Sequence, residues 1–157
     1  MSAKPLPANT IPPQSQETIY PAPFAPVVAG RTKRKLGDFF GLTHFGVNLT
    51  YLKPGAASAL MHHHSRQDEF VYVLEGHPTL LLGDETFLLN PGDCHGFKAG
   101  SGIASQLVNR TAEACAFLEI GDRTEGDEVG YPEDDLKAVQ LANGKWQLTH
   151  KDGRPWR

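Results

Sequence analysis

Three consecutive histidines and a nearby glutamate are the residues of this chain best suited to do chemistry. They are His62, His63, His64 and Glu69. Alternate residues of a β-strand share one face, so His62 and His64 would point the same way and His63 would point away. A turn in residues 65–68 would let Glu69, on a second strand, point at the same spot. Two neutral imidazoles and one carboxylate form a mixed nitrogen and oxygen site for a divalent transition metal, with coordination positions left open for water, O2 or a substrate.

The elements that would carry these residues are short strands. Segments rich in aromatic and β-branched residues recur along the chain, and turns containing glycine or proline separate them. The predicted strands are residues 43–52, 69–75, two strands within 79–89 that turn at Gly83 and Asp84, 105–109 and 114–120. Short strands at such regular intervals predict an all-β protein, either a sandwich or a small antiparallel barrel.

The two ends of the chain differ from this central part. Seven of the 12 prolines precede residue 27, which excludes helix and central strand there. The basic residues 30–37 are expected to form a solvated turn. Near the C-terminus, residues 132–139 are predicted to form a short helix and residues 146–150 an edge strand. The predicted organisation is therefore an extended N-terminal arm over 1–35, a barrel over 36–125 and a C-terminal segment over 126–157.

Composition excludes several classes of protein. The 157 residues carry 15 basic and 18 acidic side chains, a net charge of −3, and this balance disfavours binding to nucleic acid or to anionic membranes. No apolar run approaches the ~18 residues that a membrane-spanning helix needs. The N-terminus lacks the pattern of a secretory signal, so a cytoplasmic location is predicted. The two cysteines have no spacing typical of a disulfide framework or a zinc site.

The spacing around the histidines resembles a known motif. Gly55, His62, His64, Glu69 and Gly76 follow the order of the first motif of the cupin superfamily, with one extra residue between the first glycine and the first histidine. The neighbouring strand sequences are similar to those of single-domain bacterial cupins. The resemblance covers about residues 36–136 and includes two ordered motifs.

The second cupin motif is present in altered form. Gly92 and Gly100 keep their spacing, but Lys98 stands in place of the motif proline. Asn109 corresponds to the final asparagine, although the stretch before it is two residues too long. Counting back from this asparagine, the motif histidine falls on Ser105.

The resemblance implies a jelly-roll barrel of two antiparallel sheets, with a metal and a small ligand in its mouth. By position, His62, His64 and Glu69 would be three of the four usual ligands. Three outcomes are open for the fourth position: waters alone, the amide oxygen of Gln106, or His95 from the preceding strand, in that order of preference. The ligand set suits a divalent transition metal, which would be iron, manganese, nickel or zinc.

Three functions fit such a barrel. The first is a metal-dependent enzyme that acts on a small polar or carbonyl-bearing molecule in the barrel mouth. Its reaction is not specified, because none of the polar strand residues near the histidines stands out as a general acid or base; these are Asn48, Tyr51, Tyr72 and Glu75. The second is a non-catalytic small-molecule binding or sensor protein with a degenerate metal site. The third is a structural barrel. A homodimer is predicted, because the sheet edges of a small barrel need cover.

Overall fold

The computed structural model describes residues 3–16 and 18–156. This part of the chain contains one short α-helix, α1 (Leu36–Phe39), and two turns of 3₁₀ helix, Ala8–Thr10 and Ala25–Val28. Its strands are β1 (Arg31–Lys35), β2 (Phe45–Leu52), β3 (His63–His64), β4 (Glu69–Glu75), β5 (Thr79–Leu82), β6 (Glu85–Leu88), β7 (Cys94–Phe97), β8 (Ser105–Val108), β9 (Cys115–Asp122), β10 (Glu128–Gly130), β11 (Lys137–Gln140) and β12 (Trp146–Thr149). The predicted all-β fold is confirmed.

The strands form antiparallel sheets that close around one interior. The largest sheet has the order β1-β2-β9-β4-β7, and the two smaller ones have the orders β12-β11-β10-β3 and β6-β5-β8. A bridge between His62 and Ser105 joins the two smaller sheets. The architecture is that of a jelly roll with few helical residues, and the larger sheet is built mainly by pairing between distant parts of the chain.

The core lies between the large sheet and the sheet of β5, β6 and β8. Alternate residues of each strand point inward, and the innermost side chains include Leu52, Val73, Leu80 and Phe117, none more than 2% exposed. Gly76 ends β4 with a φ of 71°, and a Cβ at this position would lie 2.7 Å from the carbonyl oxygen of Ala114. Only glycine fits this close approach, which accounts for its place in the motif.

The predicted helix in the C-terminal segment is wrong. Residues 132–139 do not form a helix: a turn leads into β11, which pairs with β10 on one side and with β12 on the other. Leu136 and Ala138 are buried and alternate with more exposed neighbours, which is the two-residue period of a strand. Pairing on both edges outweighs the weak helical signal of a proline followed by acidic residues. The predicted edge strand at 146–150 is confirmed as β12.

The basic segment near the N-terminus corrects a second prediction. Residues 31–35 are not a solvated turn but the strand β1, paired along its length with β2. Arg31, Lys33 and Lys35 share the face of β1 that lines the interior cavity. Long basic side chains can pack their methylene stems while their charged ends stay wet, so a charged strand is stable at this edge. The domain boundaries at residues 35 and 125 stay predictions.

Within residues 3–16 and 18–156, no helix has the length and apolar character needed to cross a membrane.

Candidate metal centre and its cavity

The three histidines point to the two sides of their extended segment as predicted, with His62 and His64 on one side and His63 on the other. The His62 backbone bridges to Ser105, and β3 pairs His63 with Gly130 and His64 with Val129. The His62 and His64 rings lie on one side, with centroids 5.3 Å apart. The His63 ring lies over Gly130, where a Cβ would come within 2.6 Å of its atoms. Gly130 therefore makes room for His63 on the face away from the other two rings.

Glu69 brings its carboxylate to the two imidazoles. It is the first residue of β4. One oxygen lies 2.9 Å from Nε2 of His64, and the other lies 3.9 Å from Nε2 of His62. The ligand atoms of the three residues all lie within 4.8 Å of one another. The turn through residues 65–68 thus allows Glu69 to point to the same side as His62 and His64.

The second nitrogen of each histidine is already bound by the protein. Nδ1 of His62 lies 2.7 Å from the carbonyl oxygen of Leu60, and Nδ1 of His64 lies 2.5 Å from a carboxylate oxygen of Asp127. Both partners accept hydrogen bonds, so each Nδ1 donates its proton to the protein and each Nε2 is the nitrogen directed toward Glu69. Metal-binding histidines are oriented in this way. The donor set therefore fits a divalent transition metal held by His62, His64 and Glu69.

Asp127 organises the turn between the histidines and Glu69. Its side chain is fully buried. Besides His64, its carboxylate accepts hydrogen bonds from the backbone N–H groups of Arg66 and Gln67 and from the hydroxyl of Ser65. Sequence analysis did not find this residue, because it lies in an acidic, loop-like stretch and only the fold brings it to the site. One carboxylate thus fixes both the tautomer of His64 and the turn that places Glu69.

The charges of the cluster shift the pKa values of its members. Burial lowers the pKa of His62. Burial also acts to lower the pKa of His64. The hydrogen bond and charge of Glu69, followed by those of Asp127, outweigh burial and raise this pKa to about 9. For Glu69, burial acts to raise the pKa, but the hydrogen bond and charge of His64 and the charges of His62 and Lys33 lower it. A proton held between His64 and Glu69 competes with a metal ion for the same lone pairs.

The cluster faces a large interior cavity of about 1020 Å³. Much of its wall comes from three groups of residues. Residues 14–16 and 18–20 of the N-terminal segment form one group, strands β1, β2 and β9 form the second, and β3, β8 and β10 with Tyr131 form the third. The N-terminal segment is held against β1, since the backbone N–H of Gln14 donates to the carbonyl oxygen of Lys33 at 2.9 Å.

The candidates for a fourth ligand take different positions. Ser105 is buried beside His62 and lines the cavity. Gln106 also lines the cavity, and its amide nitrogen donates to the carbonyl oxygen of Ala59 at 2.7 Å. His95 packs edge-on against Phe97 and is not part of the cluster of ligand atoms. Coordination by Gln106 stays a prediction.

Two tyrosines that sequence analysis missed lie beside the candidate metal site of His62, His64 and Glu69. The ring of Tyr131 is 6.1 Å from that of His62 and 6.0 Å from that of Tyr20. The hydroxyl of Tyr20, on the N-terminal segment, accepts the backbone N–H of Leu60 at 3.3 Å and is hydrogen-bonded to Tyr131. Burial is the main cause that raises the pKa of both hydroxyls. Both are therefore neutral hydrogen-bonding groups in the cavity wall.

Comparisons with known proteins establish the family. A family profile described as a cupin domain matches residues 48–121. The crystal structure of a sugar phosphate isomerase from a cupin superfamily, from Silicibacter pomeroyi, has a TM-score of 0.90 and 39% sequence identity, covering 98% of this chain and 97% of that one. The chain belongs to the cupin superfamily. His62, His64 and Glu69 thus lie in the segment of the chain that resembles the first cupin motif.

Other solved structures are similar to this cupin at greater distance. A candidate sugar phosphate isomerase from Acidithiobacillus ferrooxidans has 34% identity and a TM-score of 0.71, over 78% of this chain and 77% of that one. The polyketide cyclase RemF from Streptomyces resistomycificus has 21% identity and a TM-score of 0.61, over 76% and 79%. The cyclase shares the fold alone. Among curated proteins, none matches this cupin.

Proposed function

We propose that this cupin is a metal-dependent isomerase that interconverts the aldose and ketose forms of a phosphorylated sugar. One observation carries the proposal: the cluster of His62, His64 and Glu69 opens onto the same cavity as the basic face of β1. A metal site and a cationic wall in one cavity suit a substrate with a carbonyl at one end and a phosphate at the other. The described activity of the Silicibacter pomeroyi relative supports the same substrate class.

The basic face of β1 supplies the groups that would recognise the phosphate. Arg31, Lys33 and Lys35 lie at alternate positions of β1 and all line the cavity. Nη1 of Arg31 donates to the carbonyl oxygen of Ser58 at 2.6 Å, which anchors this side chain to the wall. Lys33 is engaged by Glu119 at 3.1 Å, so Lys35, which is exposed, is the lysine of this face that would meet the phosphate. Fixed cations bind phosphate through charge-assisted hydrogen bonds, which are stronger than neutral ones.

The metal-binding residues would act at the other end of the substrate. A bound divalent metal polarises carbonyl and hydroxyl oxygens as a Lewis acid. His62 and His64 present their Nε2 atoms toward Glu69, and Leu60 and Asp127 hold the two rings in this orientation. Tyr131 and Gln106 add neutral polar groups for sugar hydroxyls. The chain thus orients the reactive end of the sugar in a fixed polar site.

An isomerisation assay tests this proposal. The protein is loaded separately with iron, manganese, nickel and zinc and mixed with hexose and pentose monophosphates in both aldose and ketose form. Conversion is followed by NMR. We expect turnover of a phosphorylated sugar and none of its unphosphorylated counterpart. Saturable binding of sugar phosphates without turnover in any metal form would instead favour the non-catalytic binding or sensor function.

Lys35 provides a prediction about the phosphate. Lys35→Met is expected to weaken binding of a sugar phosphate about tenfold or more, because a hydrogen bond to a charged group contributes about 1.5–3 kcal/mol. The affinity for the unphosphorylated sugar should not change. Isothermal titration calorimetry measures both, and Lys53→Met, on an exposed lysine outside the cavity wall, is the matched control. Equal weakening of both ligands would argue against a phosphate contact.

The predicted homodimer remains a proposal, and an apolar surface supports it. Phe70, Tyr72 and Leu74 lie at alternate positions of β4 and are 38%, 41% and 40% exposed. Adjacent apolar residues on an outer sheet face are typical of a contact with a second copy. Phe70→Glu with Leu74→Glu is expected to halve the mass measured by light scattering, while Thr86→Glu on exposed β6 leaves it unchanged. A monomer mass for the wild type would refute the dimer.

A further inference from the structure

Glu119 is a second carboxylate in the cavity, and the metal cluster does not use it. It lies on β9, the central strand of the large sheet, paired with Asn48 of β2 and Val71 of β4. Its side chain follows Cys115 and Phe117 on the inward face of this strand, where those two residues are apolar core. A carboxylate in this position is costly to bury unless its oxygens have partners.

The two oxygens of Glu119 have different surroundings. Oε2 accepts a hydrogen bond from Nζ of Lys33 at 3.1 Å. Oε1 is buried and has no hydrogen-bond partner among the described residues. Glu119 lines the cavity and its side chain is 27% exposed, so a bound molecule can contact this carboxylate. Glu69 differs, since both of its oxygens face histidine nitrogens.

The other carboxylates of the site are engaged elsewhere. Asp127 is fully buried and accepts hydrogen bonds from several groups of the turn. Asp38 is bonded to Arg123, and the two oxygens of Asp122 accept backbone N–H groups. Glu125 is exposed at the surface. Among the residues that the structure describes, Glu119 is therefore the carboxylate best placed to meet a ligand away from the cluster.

We infer that Glu119 is the base that moves the proton between the two carbons of the sugar during isomerisation, an inference that rests on the proposed function. Its carboxylate removes the proton from the carbon next to the carbonyl, and the electrons of that C–H bond form the carbon–carbon double bond of an enediol. Glu119 then delivers a proton to the former carbonyl carbon, and one hydroxyl proton passes from the second oxygen to the first. The proton held by Glu119 exchanges with solvent before its return, so the reaction in deuterium oxide labels this carbon. Atoms and electrons balance without an oxidant or a reductant.

Lys33 is the positioning residue in this arrangement. Its ammonium holds Oε2, and Oε1 has no hydrogen-bond partner among the described residues. The charge of Lys33 also balances that of Glu119, so that a charged base is tolerated beside Glu69. Such a base must lie within hydrogen-bond reach of the proton that it removes. Glu119 lines the cavity that β1 shares with His62, His64 and Glu69, so a substrate bound between them can meet its carboxylate.

The test compares Glu119→Gln with the wild type. Two reactions are followed in deuterium oxide with the sugar phosphate that the wild type converts best: conversion to the other isomer, and deuterium uptake at the carbon. General acid–base catalysis contributes about 100- to 10,000-fold, so both rates are expected to fall at least about 100-fold. The metal content and the calorimetric affinity for the sugar phosphate should be unchanged. Glu85→Gln, on an exposed glutamate of β6, is the matched control and should keep both rates.

A double variant separates loss of the base from damage to the fold. Lys33→Met with Glu119→Gln removes both charges together and leaves no unpaired lysine. It should lose both rates as Glu119→Gln does, and recovery of turnover would overturn the inference. If Glu119→Gln itself converts and exchanges at the wild-type rates, Glu119 is not the base, although the proposed function stands. If the wild type neither converts nor exchanges any of the sugar phosphates, the proposed function fails and the inference fails with it.

Discussion

Glu69→Ala is expected to reduce the affinity for a divalent metal by more than about 100-fold, because loss of an outer partner of a ligand alone costs about 10- to 100-fold. The substitution removes the only carboxylate of the cluster and leaves two imidazole nitrogens. His62→Ala and His64→Ala are expected to have the same effect. Metal content, measured by elemental analysis of protein purified without chelator, should fall from near one equivalent to near zero, and turnover should fall with it.

His63→Ala is the control for these variants. It removes an imidazole from the same three-residue run, but this ring lies over Gly130 on the opposite face from His62 and His64. Its metal content should equal that of the wild type. Equal metal content in all four variants would place the metal outside the cluster.

Asp127→Ala is expected to affect both stability and metal binding. The carboxylate is fully buried and satisfies the backbone N–H groups of Arg66 and Gln67 as well as Nδ1 of His64. Removing one partner of a buried charged pair costs about 3–5 kcal/mol in the free energy of unfolding. The metal affinity should fall about 10- to 100-fold, since His64 loses the partner that orients it. Urea denaturation and metal titration measure the two effects.

Asp122→Ala separates the two roles of Asp127. Asp122 accepts the backbone N–H of Asp68, so it supports the other end of the same turn, but it does not contact a histidine. It is partly exposed, so its loss should cost less stability and leave the metal affinity close to that of the wild type. Wild-type metal affinity in Asp127→Ala would show that His64 needs no partner on Nδ1.

The grouping of His62, His64 and Glu69 could be predicted because it depends on local structure. The two-residue period of a strand places His62 and His64 together and His63 apart, and only a turn separates them from Glu69. The central strands were also predictable, since each is a segment rich in apolar, aromatic or β-branched residues that lies between turns containing glycine or proline. Residues 132–139 were misjudged because their helical signal was weak, whereas pairing with β10 and β12 depends on distant sequence.

The remainder of the site comes from long-range contacts. Asp127, Tyr131 and Glu119 lie on or near strands that follow the histidines at long intervals, and nothing in their own segments marks them as site residues. Tyr20 enters the cavity wall from a proline-rich segment that has no strand pattern of its own. The basic residues of β1 could not be assigned to the site from the sequence, because only the fold shows that they line the cavity. Contacts between residues far apart in the sequence cannot be predicted from one sequence, unless the residues belong to a motif that is already known.

Anomalous diffraction from crystals of the manganese-loaded protein tests the central claim most directly. The structure predicts one strong manganese peak within bonding distance of Nε2 of His62, Nε2 of His64 and a carboxylate oxygen of Glu69. The same crystals would show whether Gln106 or water completes the coordination. A manganese peak bound by other residues, or no peak in fully loaded protein, would contradict the assignment of this cluster as the metal site.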